Sequence, residues 1–331
     1  MKEKLIRKLA LIIAVCAAAG TVTAAIAAGA GASAQQPTET PPSSPTLTPR
    51  LTPKPSPTPT VEPMDHSIWG DGVVNILFIG TDEQYSENDK GRGDVTMLCS
   101  LNRDSGSVKL VSFERSIGMP WPNHGDVMLT NTHAHGGSEL VCQDISRAFR
   151  VDIDGYVQMN FDGFCSIIDS LGGVDILLGA EEAKAMTEDT YNEIWYSEGL
   201  NHLDGASALR YCRLRRIDDN WHRVERQRYL FSSVLSQAKN LRLSQIKELA
   251  HAAMEHVNTN LTKPQLAALL VKAPRFIRSE LQQMTIPDRN NVWTYNSGEE
   301  TVTGCDFGAE SRRLNEFIYG SEEQTQAVMA N

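Results

Sequence analysis

The sequence lacks the cysteine spacing of a metal or redox centre. Its six cysteines stand singly, with no Cys-x-x-Cys pair, so neither a zinc site nor a thioredoxin-type motif is predicted. Cys142 and Cys305 could pair outside the cell, and the sequence alone leaves that pairing open. The net charge of −10 and the lack of a helix-turn-helix pattern argue against nucleic acid as a partner.

Charge is absent from residues 9–34, which follow the basic tail "MKEKLIRK" of residues 1–8. About 20 apolar residues cross a bilayer, so this segment is long enough for a transmembrane anchor. Its last residues, Ala-Ser-Ala, also fit a signal-peptidase site. We favour an uncleaved single-pass anchor over a cleaved signal peptide. In both cases the basic tail stays in the cytoplasm and the rest of the chain is exported.

Residues 35–63 lack the composition of a folded segment, because they hold ten of the fifteen prolines among Thr and Ser. Such a stretch is typical of an extended linker. The sequence therefore predicts one folded domain over residues 65–320, followed by a polar tail at 321–331.

The folded part alternates short apolar runs with amphipathic stretches, which predicts an α/β layered domain. Strands are predicted at 73–81, 94–102, 107–115, 155–161 and 174–178. Helices are predicted at 138–150, 162–173, 203–212, 219–241, 243–257 and 263–271. Their expected N-caps are Ser138, Asp162, Asp204, Asp219 and Thr262.

The turn sequence "RDSG" joins the second and third predicted strands into a hairpin. Pairing residue 101 with residue 108 across this turn places Asp94 opposite Arg115. If strand 73–81 is a neighbour in the same sheet, Asp82 reaches the same edge. Asp82 could instead only cap a turn.

Lysine is missing from "LRYCRLRRIDDNWHRVERQRYL", residues 209–230, which holds seven arginines and three acids. Arginine is preferred over lysine where phosphate or carboxylate oxygens are held in a forked geometry. A solvated helix face with salt bridges is the alternative interpretation. Arg228 and Glu225 are expected to be solvated.

The other polar residues of this stretch share two geometric patterns. Arg223, Arg226 and Gln227 lie on one helical face, and Arg213 and Arg215 alternate in "CRLR". Convergence with the strand ends would let two carboxylates hold Mg²⁺ (or Mn²⁺) beside a pyrophosphate. The predicted metal ligands are Asp82 and Asp94. The predicted pyrophosphate-binding residues are Arg115, Arg213, Arg215, Arg223, Arg226 and Gln227. His133 and His135 are expected to be polar loop residues, because no third metal ligand is suitably spaced.

Seven motifs occur in the order typical of the LytR-CpsA-Psr family of cell-wall enzymes, over about residues 73–240. They are "NILFIGTD", "RGD…TMLCSLN", "VKLVSFER", "AHGGSEL", "YVQMNFDGFCSIIDSLGGVDI", "LDGASALRYCRLR" and "RVERQRYL". The resemblance implies a three-layer α/β/α fold with a central mixed β-sheet and an apolar tunnel for a prenyl chain. It also implies an extracytoplasmic phosphotransferase held at the cell membrane. Such an enzyme moves an anionic glycopolymer, of the teichoic acid or capsular polysaccharide type, from a polyprenyl-pyrophosphate donor to peptidoglycan.

By motif, Asp82 and Asp94 match the family's magnesium-binding acids. The catalytic set implied by the resemblance is Asp94, Arg115, Arg213 and Arg215. Five positions depart from the family pattern. Glu114 and Ser116 replace a proline and an aspartate, and Asn220 replaces an acid. Met128 and Thr130 stand where a Lys and an Asn are common. The departure at Ser116 keeps two alternatives open: a non-catalytic polyprenyl-phosphate sensor, and a hydrolase of the lipid pyrophosphate.

Overall fold

The computed structural model describes residues 72–82, 90–121, 125–214, 216–238, 256–266, 268–269, 276 and 279–320. The predicted basic tail, anchor and linker, and the polar tail at 321–331, lie outside the described residues. Within the described residues, no helix has both the length and the apolar character needed to cross a membrane.

The described strands are β1 (Val73–Thr81), β2 (Gly93–Asn102), β3 (Val108–Phe113), β4 (Gly118–Trp121), β5 (Gly125–Met128), β6 (Gly155–Asn160), β7 (Val174–Leu178), β8 (Gly199–Leu203), β9 (Val257–Thr259), β10 (Leu281–Ile286), β11 (Val292–Ser297) and β12 (Glu300–Cys305). The described helices are α1 (Leu129–Phe149), α2 (Phe161–Ser170), α3 (Ala180–Asp189), α4 (Gly205–Arg213), α5 (Asn220–Ala238) and α6 (Phe307–Tyr319). A 3₁₀ turn covers Arg289–Asn291.

The central sheet has six strands in the order β10-β3-β2-β1-β6-β9. β1 runs parallel to β6, and β3 runs parallel to β10. The other three pairings in the sheet are antiparallel. The sheet is therefore mixed, as the sequence resemblance implied. Strands β1 and β2 are buried along almost their whole length, as expected for strands covered on both faces.

Side chains alternate between the two faces of the sheet and build two separate hydrophobic clusters. On one face, Leu77 and Ile79 pack with residues of α1 and α6. On the other face, Ile76 and Phe78 pack with residues of α2, α4 and α5. This period-two alternation explains why one strand serves two layers of helices. The predicted α/β/α layering is confirmed.

The predicted hairpin register is confirmed, because Leu101 pairs with Val108 and Thr96 with Phe113. The Asn102 side chain accepts hydrogen bonds from the turn N–H groups of Asp104 and Ser105 at 3.0 and 2.8 Å. β1 pairs antiparallel with β2, with an irregularity between Gly80 and Thr81. The end of β1 and the start of β2 therefore meet at one edge.

Three of the predicted helix caps are confirmed, at Asp204, Asp219 and Thr262. Helix α2 instead begins one residue earlier than predicted, because Asn160 accepts the N–H of Gly163 at 3.0 Å. Asp162 consequently lies in the first turn, where its negative charge favours the helix N-terminus.

Helix α1 begins nine residues before the predicted start at 138. Two helical segments meet at a kink at Gly137, whose φ of 76° and ψ of −166° are not helical, and the second segment starts at the predicted residue 138. His133 and His135 are therefore helical, and the prediction of a loop there is wrong. The Ser138 hydroxyl does not cap this helix and instead donates to Gln158 Oε1 at 2.9 Å.

The C-terminal third departs most from the predicted pattern. Most of the predicted helix at 243–257 lies outside the described residues. Its predicted end is wrong, because Val257 is the first residue of strand β9. The predicted helix at 263–271 is seen at 263–266 and 268–269. Cys142 and Cys305 are both buried free thiols, so the structure contains no bond between them.

Candidate functional site

Asp94 and Arg115 form an ion pair at the edge where β1 ends and β2 begins. Arg115 Nη2 lies 2.7 Å from Asp94 Oδ1, and the side chain of Asp94 is fully buried. Thr130, in the first turn of α1, donates to the same carboxylate oxygen at 3.1 Å and accepts from Arg115 at 3.2 Å. The three side chains therefore hold one another in a fixed geometry, which the hairpin register predicted for two of them.

Asp82 follows β1 directly and is half-buried. Its carboxylate accepts the backbone N–H of Arg92, and its own N–H donates to the Arg92 carbonyl at 3.2 Å. These contacts close the base of the segment between β1 and β2, as the turn-capping interpretation expects. The role of Asp82 as a metal ligand stays a prediction.

Arg213, the last residue of α4, lies near both acids. Its guanidinium carbon is 5.0 Å from the centre of the Phe161 ring, in a cation–π arrangement. Burial lowers the pKa of Arg213, and the negative charges of Asp94 and Asp82 oppose that shift. One guanidinium therefore interacts electrostatically with both predicted metal ligands. Of the two arginines in the Arg-x-Arg segment, Arg213 therefore lies near the strand edge, as predicted. Arg215 lies outside the described residues.

The predicted face of α5 is buried as a unit. Arg223, Arg226 and Gln227 are 1%, 4% and 3% exposed, whereas Glu225 is exposed as predicted. Arg228 was expected to be solvated, and this prediction is wrong. It is half-buried and donates to Thr285 Oγ1 of β10 at 2.7 Å. Helical periodicity could not show that an edge strand packs beside this second face.

Arg226 contacts a carboxylate of the protein itself. Its two terminal nitrogens bind both oxygens of Asp218, and Nη2 also donates to the Leu214 carbonyl at 2.7 Å. Burial opposes the charge of Arg226, but the hydrogen bonds and charge of Asp218 outweigh it and raise the pKa of Arg226. The structure thus places Arg226 as a brace for the segment between α4 and α5, which carries Arg215. Arg216 is exposed on that segment and pairs with Asp189.

Arg226→Lys is expected to destabilise the fold, because a single ammonium cannot replace the forked contact with Asp218. The loss should be about 1.5–3 kcal/mol in the free energy of unfolding, measured by urea denaturation. In a double-mutant cycle, Asp218→Asn should add little to that loss. Unchanged stability together with weaker donor binding would contradict the bracing role and favour direct contact with phosphate.

Ser116 replaces the family's aspartate, and the neighbouring Glu114 supplies a carboxylate there. Glu114 is buried, and its Oε2 accepts from the backbone N–H and the hydroxyl of Ser116 at 2.9 and 2.6 Å. The Ser116 hydroxyl also lies 2.8 Å from Thr303 Oγ1 on β12. A carboxylate therefore still flanks Arg115, from the other side in sequence. Asn220 is half-buried as the first residue of α5.

His133 supports the segment that leads into β2. It is buried, with Nδ1 3.0 Å from the Gly91 carbonyl and Nε2 3.3 Å from the Ser138 hydroxyl. His135 is exposed and stacks on Trp121, with ring centres 4.7 Å apart. The two histidines therefore do not form a metal pair.

Four residues of the site escaped the sequence-based prediction as contacts: Thr130, Phe161, Asp218 and Glu114. Thr130 and Glu114 stood out only as departures from a family pattern. Phe161 lay within a strand prediction that ran one residue too far. Asp218 could have been predicted from the sequence. A buried arginine needs an acidic partner, and Asp218 lies just before the helix that carries the arginines.

The acids fit a shared cation site better than an all-protein one. Among the described residues, no group of three or more His, Cys, Asp or Glu side chains is arranged to hold a metal ion. Asp82 and Asp94 nevertheless supply the carboxylate oxygens that Mg²⁺ prefers when substrate phosphate completes its coordination.

Comparison with known proteins gives one consistent result. A model of the LytR_cpsA_psr family matches residues 52–306. The chain is 28% identical over 176 residues to the polyisoprenyl-teichoic acid–peptidoglycan teichoic acid transferase TagT of Bacillus subtilis (strain 168), covering 52% of this chain and 55% of that protein. It is 31% identical over 197 residues to the transferase TagU of Bacillus mycoides (strain KBAB4), covering 58% of this chain and 62% of that protein.

A solved structure, the LytR-CPS2A-psr family protein YwtF (TagT) with bound octaprenyl pyrophosphate lipid, has a similar fold. The TM-score is 0.59 at 20% identity, covering 77% of this chain and 95% of that chain. The chain spans 55% and 62% of the length of the two curated relatives. The family model covers well over half of the chain, from before β1 to the end of β12. The chain therefore belongs to the LytR-CpsA-Psr family.

Proposed function

We propose that this protein is an extracytoplasmic phosphotransferase that moves an anionic glycopolymer from a polyprenyl-pyrophosphate donor to peptidoglycan. The observation that carries the proposal is the Asp94–Arg115 pair with Arg213 beside it, at one edge of the sheet. The names of the curated relatives support the reaction class. The glycopolymer is of the teichoic acid or capsular polysaccharide type. Residues 9–34 hold the protein at the cell membrane.

Arginines of this kind suit a pyrophosphate because each guanidinium presents several donors in a planar fork. Arg115 is fixed by Asp94 and Thr130, so its orientation is set before the substrate arrives. Arg213 is half-buried over Phe161, which strengthens its interaction with an anion relative to a solvated arginine. Arg223 and Gln227 extend the polar face on α5, and Arg215 belongs to the same motif.

In the proposed reaction, a peptidoglycan hydroxyl attacks the phosphorus that bears the glycan. A new phosphate ester bond forms, the phosphoanhydride bond breaks, and polyprenyl monophosphate leaves with the bridging oxygen. The hydroxyl proton is released to solvent. Negative charge grows on the bridging oxygen as the bond breaks, and nearby guanidinium groups stabilise it.

Asp82 and Asp94 would hold Mg²⁺, or Mn²⁺, next to this pyrophosphate. When bound, the ion supplies positive charge to the phosphate oxygens. Without a cation, only arginines offset the repulsion between the two carboxylates and an incoming anion. Arg115 pairs directly with Asp94, and the charge of Arg213 interacts with both acids.

Chelation of divalent ions is expected to stop turnover, and added Mg²⁺ should restore it. Asp82→Asn should raise the Mg²⁺ concentration needed for half-maximal rate by about tenfold or more, because one charge-assisted ligand is lost. Binding of Mn²⁺, followed by electron paramagnetic resonance without donor, gives a readout independent of activity. Full activity of Asp82→Asn in the presence of a chelator would contradict the metal assignment.

Reconstitution tests the function itself. The full chain in vesicles receives a lipid-linked glycopolymer donor, peptidoglycan fragments and Mg²⁺, and the products are separated by size and by lipid. The proposal expects glycopolymer attached to peptidoglycan together with polyprenyl monophosphate. Free glycopolymer phosphate would identify a hydrolase. Tight donor binding without any product would identify a sensor.

A further inference from the structure

A second concave site lies at the far end of α1, away from Asp94. It is a pocket of about 270 Å³ between β4, the last turns of α1 and the start of α6. The lining residues used below are Met119, Asp144, Arg147, Arg150, Phe307 and Gly308. None of them belongs to the predicted pyrophosphate site. The pocket therefore needs its own explanation.

Asp144 is the unusual residue of this pocket. It is 5% exposed, and its Oδ1 accepts from Arg147 Nη1 at 3.2 Å. Its Oδ2 is buried and has no hydrogen-bond partner among the described residues. Burial raises the pKa of Asp144 to about 6, and the charge of Arg147 opposes that shift. A buried carboxylate oxygen without a partner is costly and marks a position where a ligand can supply the donor.

Positive charge surrounds that carboxylate at the pocket mouth. The Arg147 side chain is 67% exposed, so most of its donors face solvent. Arg150 is exposed immediately after α1, in the left-handed region with φ 49°. Gly308 lies in the first turn of α6, where Asp306 Oδ1 already accepts the N–H of Ala309 at 3.0 Å, so the two arginines supply the positive charge. The mouth of the pocket therefore favours an anion.

The remaining wall is apolar. Met119 is buried on β4, and Phe307 packs on Phe149 with ring centres 5.4 Å apart. An apolar wall with a few convergent polar groups is the usual construction of a small-molecule site. The three features together specify a ligand with a carbon skeleton, an anionic group and a hydroxyl.

We propose that this pocket binds a hydroxylated phosphate. The phosphate contacts Arg147 and Arg150, and a hydroxyl donates to Asp144 Oδ2. The carbon skeleton lies against Met119 and Phe307. The contact with Asp144 makes the site selective for a phosphate that carries a hydroxyl over inorganic phosphate.

The position of the pocket connects it to the proposed reaction. Thr130 contacts Asp94 at the start of α1, and Asp144 follows fourteen residues later. At ~1.5 Å per helical residue, a straight helix of this length would span roughly 20 Å, and the kink at Gly137 makes that an upper bound. When the pyrophosphate of a lipid-linked glycopolymer binds at Arg213, a later repeat unit of the polymer would occupy the pocket. The assignment of a glycopolymer repeat unit to the pocket rests on the proposed function, whereas the binding of a hydroxylated phosphate does not. A free polyol phosphate is the other source of the same ligand.

Titration calorimetry on the full chain tests the pocket directly, with glycerol 3-phosphate, inorganic phosphate and glycerol as separate probes. We expect saturable binding of glycerol 3-phosphate, at least about tenfold tighter than of either other probe, since each charged contact contributes to affinity. Arg147→Gln and Asp144→Asn should each weaken that binding by about tenfold or more. Arg289→Gln is the matched control, because Arg289 is also exposed and paired with an aspartate, Asp219. Equal binding of inorganic phosphate, or unchanged binding in Asp144→Asn, would overturn the proposal.

Two further measurements complete the test. The first shows whether lost binding is due to misfolding, and the second identifies the source of the ligand. The raised pKa means that the ionised carboxylate weakens the fold at pH 7 and not at a pH well below 3.8, where Asp144 is protonated in both the folded and the unfolded state. Asp144→Asn should therefore raise Tm at pH 7 by about 2–4 °C while losing the probe, which misfolding could not do. A short glycerol-phosphate oligomer should bind more tightly than the monomer if the glycopolymer is the ligand. Equal affinities would identify the free phosphate, whatever the outcome of the transfer assay.

Discussion

Asp94→Asn is expected to lower the rate of glycopolymer transfer by about 100- to 1,000-fold, which is about 3–4 kcal/mol of barrier. Asp94 is the fully buried partner of Arg115 at 2.7 Å and also interacts with Arg213. Asparagine keeps the shape but removes the charge that orients both guanidinium groups and, in the proposed reaction, helps to hold Mg²⁺. The rate is measured with the lipid-linked donor at saturating Mg²⁺.

Asp104→Asn is the matched control, because Asp104 is exposed in the turn between β2 and β3. It should leave the rate unchanged. Loss of one partner from a buried pair also costs stability, so Tm is measured alongside to ensure that the folded fraction is known. An Asp94→Asn protein that is folded and transfers glycopolymer at the normal rate would show that the active site does not lie at this strand edge.

Arg213→Lys is expected to lower the transfer rate by about 10- to 100-fold, since each charged hydrogen bond contributes about 1.5–3 kcal/mol. Lysine keeps the positive charge, so the loss isolates the forked geometry and the stacking on Phe161. Both kcat and KM of the donor are measured. The loss should appear in kcat/KM, because in the proposed reaction the guanidinium contacts the pyrophosphate both in the complex and in the transition state.

Arg216→Lys provides the comparison in the same segment. Arg216 is exposed and pairs with Asp189, and exposed pairs contribute little. Its rate should stay within about twofold of the wild type. Equal effects of the two substitutions would mean that the forked geometry of Arg213 makes no special contribution to the reaction.

The sheet edge could be predicted because its determinants are local. A four-residue turn fixes the pairing of Leu101 with Val108, and the period of two then carries the register to Asp94 and Arg115. The apolar run ending at Asp82 is a strand that is buried on both faces, and a continuous apolar run of this kind is readily predicted as a strand. Strand ends that meet at one edge follow from these two facts.

The partners of the arginines could not be predicted, because helical periodicity shows a face and not what covers it. Arg226 shares its face with Arg223, yet it binds Asp218 from the preceding segment. Arg228, expected in solvent, meets Thr285 from a strand more than fifty residues away. Long-range packing decides both contacts.

The same limit applies to the second pocket. Asp144 and Arg147 are spaced i, i+3 on α1, which by itself is typical of an exposed surface pair. The burial of Asp144 and the apolar wall beside the pair depend on β4 and on the start of α6, at Phe307. In the middle of α1, the pair Gly136-Gly137 resembles a loop signal, and the structure has a kink with non-helical dihedral angles at Gly137.

Binding of a short polyprenyl pyrophosphate, geranylgeranyl pyrophosphate, tests the central claim most directly, because it requires neither acceptor nor turnover. The full chain is titrated with this lipid and with geranylgeranyl monophosphate, in the wild type and in an Arg115→Lys/Arg213→Lys double variant. We expect the wild type to bind the pyrophosphate at least about tenfold more tightly than the monophosphate, and the double variant to lose that preference. A double variant that keeps the full preference would show that the pyrophosphate binds elsewhere, and would contradict the account.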